Sequence, residues 1–192
     1  MKIGVLALQG AVAEHLDMLK ACGVEGVGVR APEEFAGLEG LIIPGGESTT
    51  IGRLIEKRGL KGPIAELWDK GMPIMGTCAG LVLLGREVAG CPGQQLLGHM
   101  DTVVVRNGFG RQRESFETDM AMPFLGKAPF RGVFIRAPYI ARSGEGVEVL
   151  GSMEGRVIAA RQGRGLAVAF HPELTGDLRL HQYFLSMGKN LP

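Results

Sequence analysis

Cys78 stands between two glycines, where an apolar strand is expected to pass into an apolar helix. The stretch reads Pro73-Ile74-Met75-Gly76-Thr77-Cys78-Ala79-Gly80-Leu81. A Gly-x-Cys-x-Gly motif in that context has the form of a nucleophile elbow, a tight turn that lifts the reactive side chain above the sheet edge. Glycines are needed because flanking Cβ atoms would clash in so sharp a turn. The helix N-terminus after Cys78 favours negative charge and therefore the thiolate. Taken alone, the motif is explained equally well by a small buried cysteine between two turns.

A base for such a thiol is available at Phe170-His171-Pro172-Glu173, where a second apolar strand ends. His171 and Glu173 are two positions apart, so on an extended segment their side chains point to the same side. The imidazole can then face the nucleophile while the carboxylate holds its other nitrogen, as in a Ser-His-Asp triad. A structural His-Pro-Glu turn would account for the same letters. The remaining histidines are predicted to be surface or partly buried residues without a catalytic role: His15, His99 and His181.

A third element, Pro44-Gly45-Gly46-Glu47-Ser48-Thr49, follows another short apolar strand. Its bare backbone can present N–H groups to a ligand. One amide from this loop, together with that of Ala79, would form an oxyanion hole for a tetrahedral intermediate. No Gly-Lys-Ser/Thr follows, so the loop does not match a phosphate-binding loop. All three elements are predicted at the carboxyl ends of strands, where an open α/β sheet binds its ligands.

The elements that must position these residues alternate between strand and helix in the first half of the chain. Such alternation predicts a mostly parallel sheet with helices on both faces. Strands are expected at 2–8, 24–29, 41–43 and 73–75, and helices at 11–22, from 48 or 49, at 63–70 and at 79–88. From about residue 101 the strand-like segments are joined by short turns, which favours an antiparallel extension of the sheet. They lie at 102–105, 132–135, 147–150, 157–160 and 166–170, before a last helix from Asp177 to Met187. The prediction is one α/β domain over residues 1–192, a three-layer α/β/α fold of flavodoxin-like type.

Composition excludes several other classes of protein. The 192 residues are 45% hydrophobic and 21% charged, with a formal charge of +1 and no basic stripe, so neither nucleic acid nor a membrane is expected as a partner. No apolar stretch has the length of a membrane span. The three cysteines, Cys22, Cys78 and Cys91, show no paired spacing. We therefore expect neither a disulfide framework nor a metal site, no cofactor, and a cytoplasmic location.

With these motifs in hand, the chain resembles the triad (class I) glutamine amidotransferases. More narrowly, it resembles the family of glutaminase subunits of pyridoxal 5′-phosphate synthase, which make vitamin B6 without deoxyxylulose 5-phosphate. The matching pieces run nearly end to end: Gly4–Ala11 with Glu14-His15, Pro44–Thr50, Gly76–Leu81, Arg106-Asn107 with Phe109–Gln112, Ser115–Glu117, Gly132–Pro138 and Phe170–Thr175. One departure is Gly108, which stands where this family often has Ser.

The resemblance implies roles for individual residues. It makes Cys78 the nucleophile, His171 the general base and acid, and Glu173 the residue that orients it. It makes the amides of Gly46 and Ala79 the oxyanion donors. It implies that L-glutamine is bound by Gly46, Glu47, Ser48, Arg106, Ile135 and Arg136. A guanidinium suits the substrate α-carboxylate because the two pair through two parallel hydrogen bonds. Surface ion pairs are the alternative explanation for both arginines.

The resemblance also implies a partner. Ammonia free in water becomes ammonium, which is not a nucleophile, so a biosynthetic glutaminase has to dock on its acceptor enzyme. The implied acceptor is the synthase subunit, a (β/α)8 barrel that joins ammonia with ribose 5-phosphate and glyceraldehyde 3-phosphate. A cysteine peptidase or deglycase of the related α/β superfamily is the alternative, but those chains typically place His next to the elbow cysteine, where this one has Ala79. A stand-alone glutaminase and an inactive scaffold protein are further alternatives. The intact set of three catalytic residues disfavours the scaffold.

Overall fold

The computed structural model describes residues 1–109 and 114–188. Within these ranges the chain forms five α-helices and twelve strands. The helices are α1 (Val12–Ala21), α2 (Ser48–Lys57), α3 (Lys61–Asp69), α4 (Ala79–Leu84) and α5 (Arg179–Gly188). The strands are β1 (Lys2–Leu6), β2 (Glu25–Val29), β3 (Leu41–Ile43), β4 (Ile74–Thr77), β5 (Gly85–Val88), β6 (Met100–Val105), β7 (Ser115–Met120), β8 (Phe130–Ile135), β9 (Tyr139–Ser143), β10 (Val147–Met153), β11 (Arg156–Gln162) and β12 (Gly165–Val168). Among the helices of the described ranges, none has the length and apolar character needed to cross a membrane.

Ten of these strands form one mixed sheet in the order β2-β1-β3-β4-β12-β11-β9-β6-β5, with β10 beside β11. The first five strands of that order are mutually parallel. Beyond β12 the pairing turns antiparallel, apart from the parallel pair β5 and β6. Strands β7 and β8 form a separate antiparallel ribbon. The predicted α/β class, with a parallel core and an antiparallel extension, is confirmed.

The three inner strands β3, β4 and β12 of the parallel core have no face toward water. Every residue of β3, β4 and β12 is buried, as expected where both faces of a parallel sheet are covered. This explains why these strands read as continuous apolar runs in the sequence rather than as alternating ones. Leu41, Ile42 and Ile43 are fully inaccessible, and the carboxyl end of their strand opens directly into the glycine loop.

Two parts of the predicted secondary structure are wrong. The helix expected over residues 79–88 ends at Leu84, and Gly85–Val88 is strand β5, paired with β6. The cap residue Gly85 is already extended, with φ −63° and ψ 155°. Short buried apolar runs have no polar face, so periodicity does not tell a strand from a helix there. Strands β7 and β9 were not anticipated, since the charged and polar residues in Ser115–Met120 and Tyr139–Ser143 obscure their alternation.

Three neighbouring strands bring the three predicted loops together. Ile43 of β3 lies beside Gly76 of β4, and Thr77 of β4 lies beside Val168 of β12. All three strands run in the same direction, so the glycine loop, the cysteine elbow and the His-Pro-Glu segment leave the sheet at the same edge. The predicted meeting of these elements at the carboxyl ends of the strands is confirmed.

Candidate active site

Cys78 occupies a strained turn between β4 and α4. Its φ of 47° and ψ of −99° lie in a region that residues with a Cβ rarely adopt. The backbone N–H of Cys78 donates to the carbonyl oxygen of Val168 at 2.8 Å, which anchors the turn to β12. A Cβ on Gly76 would lie 2.5 Å from the carbonyl of Gly80, and one on Gly80 would lie 2.1 Å from that of Ile43. The steric reason predicted for the two flanking glycines is therefore confirmed.

His171 and Glu173 face each other, with Nδ1 of His171 2.7 Å from Oε1 of Glu173. The pairing was expected from an extended segment, but Pro172–Leu174 is a 3₁₀ turn. The prediction of mutual contact therefore holds for a different reason: the turn, rather than strand alternation, brings the carboxylate under the ring. The backbone of Gly45 packs against the ring, since a Cβ there would lie 2.3 Å from Cε1 of His171.

The electrostatics of this pair favour a charged imidazole. Burial acts to lower the pKa of His171, but interactions with Cys78 and Glu173 outweigh it and raise the pKa to about 10. The sulfur on one side and the carboxylate on the other therefore favour the imidazolium form of His171. The Cys78 Sγ also lies 3.8 Å from the carbonyl oxygen of Ile135. As a thiol, Cys78 donates its hydrogen to this carbonyl oxygen, whereas the reactive form is the thiolate, which an imidazolium at His171 stabilises.

A cavity of about 280 Å³ opens above the elbow. It is lined by every residue for which a glutamine-binding or oxyanion role is predicted, and by Cys78 and His171. Glu173 does not line it, but lies behind His171 with its side chain fully buried. The lining also includes residues for which no role is predicted from the sequence: Gln9, Val82, Asn107 and Pro138.

Glu47 and Arg106 form the charged wall of this cavity. The Glu47 carboxylate is the N-cap of α2, where a Ser or Thr cap was expected, and accepts hydrogen bonds from the backbone N–H groups of Thr49 and Thr50. Although burial alone would raise the pKa of Glu47, the hydrogen bond from the Thr50 hydroxyl, at 2.8 Å, and these two backbone bonds lower it to about 2. Arg106 binds Oε1 of Glu47 at 3.1 Å, and also donates to Thr49 and Gln94.

Arg136 differs from Arg106 in how its side chain is held. It follows β8 with a φ of 43°, and it lines the cavity from an exposed position. Within residues 1–109 and 114–188 we find no hydrogen bond or ion pair of its guanidinium. Arg106 is thus held by three side chains, whereas the residues of the described ranges leave the guanidinium of Arg136 without such contacts. The side chain of Ile135, beside it, is 37% exposed at the same rim.

Gln9 is a contact residue for which sequence reasoning assigned no role. Its Oε1 accepts a hydrogen bond from the backbone N–H of Glu47 at 2.7 Å, and a Cβ on Gly46 would lie 2.5 Å from the same oxygen. The side chain therefore braces the glycine loop. The sequence could have indicated this role, because Gln9 lies in the Leu-Gln-Gly-Ala segment that follows the end of β1, at the same sheet edge as the other loops.

Gly108 is accommodated by a close aromatic contact. A Cβ at this position would lie 2.1 Å from Cδ1 of Tyr139, so the departure from Ser is matched by the packing of that ring. The predicted pieces at Gly110, Arg111 and Gln112 lie outside the described residues.

The prediction for two of the other histidines is wrong. His15 and His181 are fully buried, and they lie on the side of Glu173 away from the cavity. Their helices are amphipathic and pack on the sheet, so these two histidines on the inner faces are enclosed together and contact each other. His99, stacked on Trp68 with ring centroids 4.9 Å apart, is partly buried as predicted.

Comparison with known proteins gives concordant matches over nearly the whole chain. Residues 5–190 match the model described as "SNO glutamine amidotransferase family". The pyridoxal 5′-phosphate synthase subunit PdxT of Pelotomaculum thermopropionicum is 60% identical, over 96% of this chain and 94% of its own. A crystal structure of a glutamine amidotransferase superposes with a TM-score of 0.92 at 49% identity, covering 97% of this chain and 98% of that one. A Thermotoga maritima glutamine amidotransferase, 12% identical over 97% of this chain and 83% of its own, shares the fold with a TM-score of 0.65.

Proposed function

Because the chain belongs to the SNO glutamine amidotransferase family, we propose that it is the glutaminase subunit of a pyridoxal 5′-phosphate synthase. In this proposal it hydrolyses L-glutamine to L-glutamate and ammonia through Cys78, His171 and Glu173. The observation that carries the proposal is the contact of His171 with Glu173 at 2.7 Å, directly behind a cysteine in a strained elbow at the floor of a cavity.

The first half of the reaction forms a thioester. The Cys78 thiolate attacks the side-chain amide carbon of glutamine, and the carbonyl oxygen becomes an oxyanion. The backbone N–H of Ala79 is available for that oxyanion, because the first N–H groups of a helix have no acceptor within it. The amide of Gly46 is the second proposed donor. His171, already protonated, gives its proton to the departing nitrogen, so ammonia leaves and a γ-glutamyl thioester remains.

The second half returns the enzyme to its starting state. His171, now neutral, removes a proton from a water molecule that attacks the thioester carbon. The carbon–sulfur bond breaks, glutamate leaves, and Cys78 is again a thiolate beside an imidazolium. Glu173 stays ionised throughout and holds Nδ1–H of His171, so that Nε2 is the atom that gives and takes the proton.

We propose that the charged wall recognises the two charges of free glutamine. The α-carboxylate is expected at Arg136, whose guanidinium is uncommitted within the described ranges, with Arg106 adding its field. Glu47, held as a carboxylate by its cap hydrogen bonds, attracts the α-ammonium. Ser48 and Ile135 also line the cavity. The pocket then selects an amino acid with both charges rather than a simple amide.

Delivery of the ammonia is the second part of the proposal. The relative from Pelotomaculum thermopropionicum is named a synthase subunit, and released ammonia would be protonated in water. We therefore expect this chain to dock on a (β/α)8-barrel synthase subunit and pass ammonia to it directly. With Cys22, Cys78 and Cys91 all free, a reducing cytoplasm is the proposed setting.

The test is ammonia release from glutamine by the purified chain, alone and with the synthase subunit, with Cys78→Ala as the matched variant. We expect release that the synthase subunit stimulates, and a loss of at least about 10⁴-fold in Cys78→Ala at an unchanged melting temperature. Release that the synthase subunit does not change would remove the vitamin B6 assignment. Release that persists in Cys78→Ala would remove the nucleophile, and hydrolysis of peptides instead of glutamine would favour the peptidase.

A further inference from the structure

A fully buried polar cluster lies beneath the catalytic residues. It consists of His15 on α1, Thr77 at the end of β4 and His181 on α5, each with no exposed surface. Nδ1 of His15 is 3.0 Å from Nε2 of His181, and Nε2 of His15 is 3.2 Å from Oγ1 of Thr77. That same Nε2 is 3.4 Å from Oε2 of Glu173. Glu173 thus lies between two imidazoles, with His171 at one oxygen and His15 at the other.

Burial favours the neutral form of both histidines. Burial lowers the pKa of His15 well below its usual value, and the nearby His181 and His171 lower it further. Burial also lowers the pKa of His181 to about 4. A neutral imidazole carries one N–H, so the hydrogen-bond partners of each ring determine its tautomer.

The carboxylate selects one tautomer for the pair. An ionised carboxylate can only accept, and Oε2 of Glu173 is a buried oxygen with no well-aligned hydrogen bond within the described residues. Nε2 of His15 faces both this oxygen, at 3.4 Å, and Oγ1 of Thr77, at 3.2 Å. A hydrogen on Nε2 is attracted by both oxygens, whereas a bare Nε2 would turn a lone pair toward the carboxylate. Nδ1 of His15 then accepts from Nε2–H of His181. The remaining atom, Nδ1 of His181, is a bare lone pair, which agrees with its lack of a partner in the described ranges.

We propose that His15, held in this tautomer by His181, is a positioning residue that fixes the Glu173 carboxylate from behind and thereby orients His171 toward Cys78. The proposal rests on the glutaminase function proposed above. A donor nitrogen on His15, 3.4 Å from this oxygen, offsets part of the cost of burying it, and without that nitrogen the carboxylate would rotate toward another donor. Rotation would lengthen the contact between Oε1 and His171, on which the orientation of the imidazole depends. The groups that face His15 are His181 from α5, Thr77 from β4, and His171 and Glu173 from the segment after β12.

The test compares His15→Leu with His15→Gln. Leucine removes the donor, whereas the side-chain amide of glutamine places an N–H₂ where Nε2 of histidine stood. The first readout is the titration midpoint of His171, followed by ¹⁵N NMR of the histidine rings. In His15→Leu we expect the His171 midpoint to fall by about one pH unit, because the Glu173 carboxylate is no longer held in place. A fall of that size corresponds to a tenfold weaker preference for the imidazolium. His15→Gln should restore at least half of the change.

The second readout is kcat and KM for ammonia release in the presence of the synthase subunit. We expect kcat of His15→Leu to fall about tenfold or more while KM stays within about twofold, because the variant disturbs the reacting groups and leaves the substrate contacts alone. His181→Phe fills the ring volume and removes only the donor to His15, so it should shift both readouts in the same direction by less. If His15→Leu does not fold, His181→Phe tests the positioning role of His15 in its place. His99→Leu, at the histidine stacked on Trp68, is the matched control and should change neither.

The outcomes separate the two proposals. A folded His15→Leu or His181→Phe with the parental His171 midpoint and kcat overturns the positioning role. So does a His15→Gln that recovers nothing. If the parent chain with the synthase subunit released no ammonia, the glutaminase proposal would fail, and the NMR midpoint alone would still decide whether His15 positions Glu173.

Discussion

The two sides of the site differ in how far their side chains are exposed to solvent. Behind Cys78, the side chains of His15 and Glu173 expose nothing to solvent. Across the cavity, Glu47 exposes 47% of its side chain and Arg106 exposes 33%. A buried group whose partner is removed has no water to replace it, whereas an exposed ion is resolvated and screened. Changes on the buried side should therefore act on the chemical step and be large, and those on the open side should act on binding and be small.

The largest effect in this comparison is expected for Glu173→Gln. The amide can donate to Nδ1 of His171, which favours the wrong tautomer and removes the charge that stabilises the imidazolium. We expect kcat to fall by at least about 100-fold, with KM for glutamine little changed. The control is Glu117→Gln, at the carboxylate that pairs with Arg131 on the exposed β7–β8 ribbon. A Glu173→Gln enzyme with the parental kcat would contradict the assignment of Glu173.

An intermediate effect is expected for Gly45→Ala, which tests how tightly the buried side is packed. The new Cβ would lie 2.3 Å from Cε1 and 2.9 Å from Nδ1 of His171, so the ring must move. A displacement near 1 Å can cost about 100-fold, and we expect a loss of kcat between tenfold and that value. Gly62→Ala, in α3 with nothing within 4 Å of the added Cβ, is the matched control. It should leave kcat unchanged and raise the melting temperature slightly, since alanine is the better helix former.

The smallest effect is expected on the open side. Arg136→Met removes a cation with no partner in the described ranges, so it should raise KM by about tenfold, which is the value of one charged hydrogen bond, and leave kcat within about twofold.

Arg106→Lys keeps the charge but loses the fork that joins Glu47, Thr49 and Gln94, and we expect a rise in KM of about threefold. Steady-state kinetics with varied glutamine measure both. A fall in kcat larger than the rise in KM in either variant would contradict the division between the two sides.

The chemistry of the buried side was predictable because it is encoded locally. Gly-x-Cys-x-Gly after an apolar strand, and His-Pro-Glu after another, each specify a turn and a reactive side chain within a few residues. The rule that parallel strands present their carboxyl ends at one edge then brought the segments together without knowledge of the packing. The predicted bounds of these strands differ little from the observed ones. Strand β3 has the expected bounds, and β4 begins one residue later than expected and ends two residues beyond the predicted limit.

The errors in secondary structure and burial arose where the local sequence pattern does not indicate which element packs beside a segment. Gly85–Val88 was expected to continue a helix, and only its pairing with β6 makes it a strand. His15 and His181 were expected to be surface or partly buried residues, because a position within a helix does not indicate which face of that helix is enclosed. Their helices are separated by most of the chain, and the contact between their rings at 3.0 Å exists only once both helices pack on the sheet.

The sequence by itself determined the elbow of Cys78, the His-Pro-Glu segment with the proposed base and the sheet edge at which they meet, because strand polarity and glycine sterics act over a few residues. Only the tertiary structure decided what supports them: Gln9 under the glycine loop, the 3₁₀ turn that brings Glu173 to His171, and the paired histidines behind the carboxylate. Those contacts depend on which faces of distant elements are buried together. That is a property of packing, which no short stretch of sequence specifies.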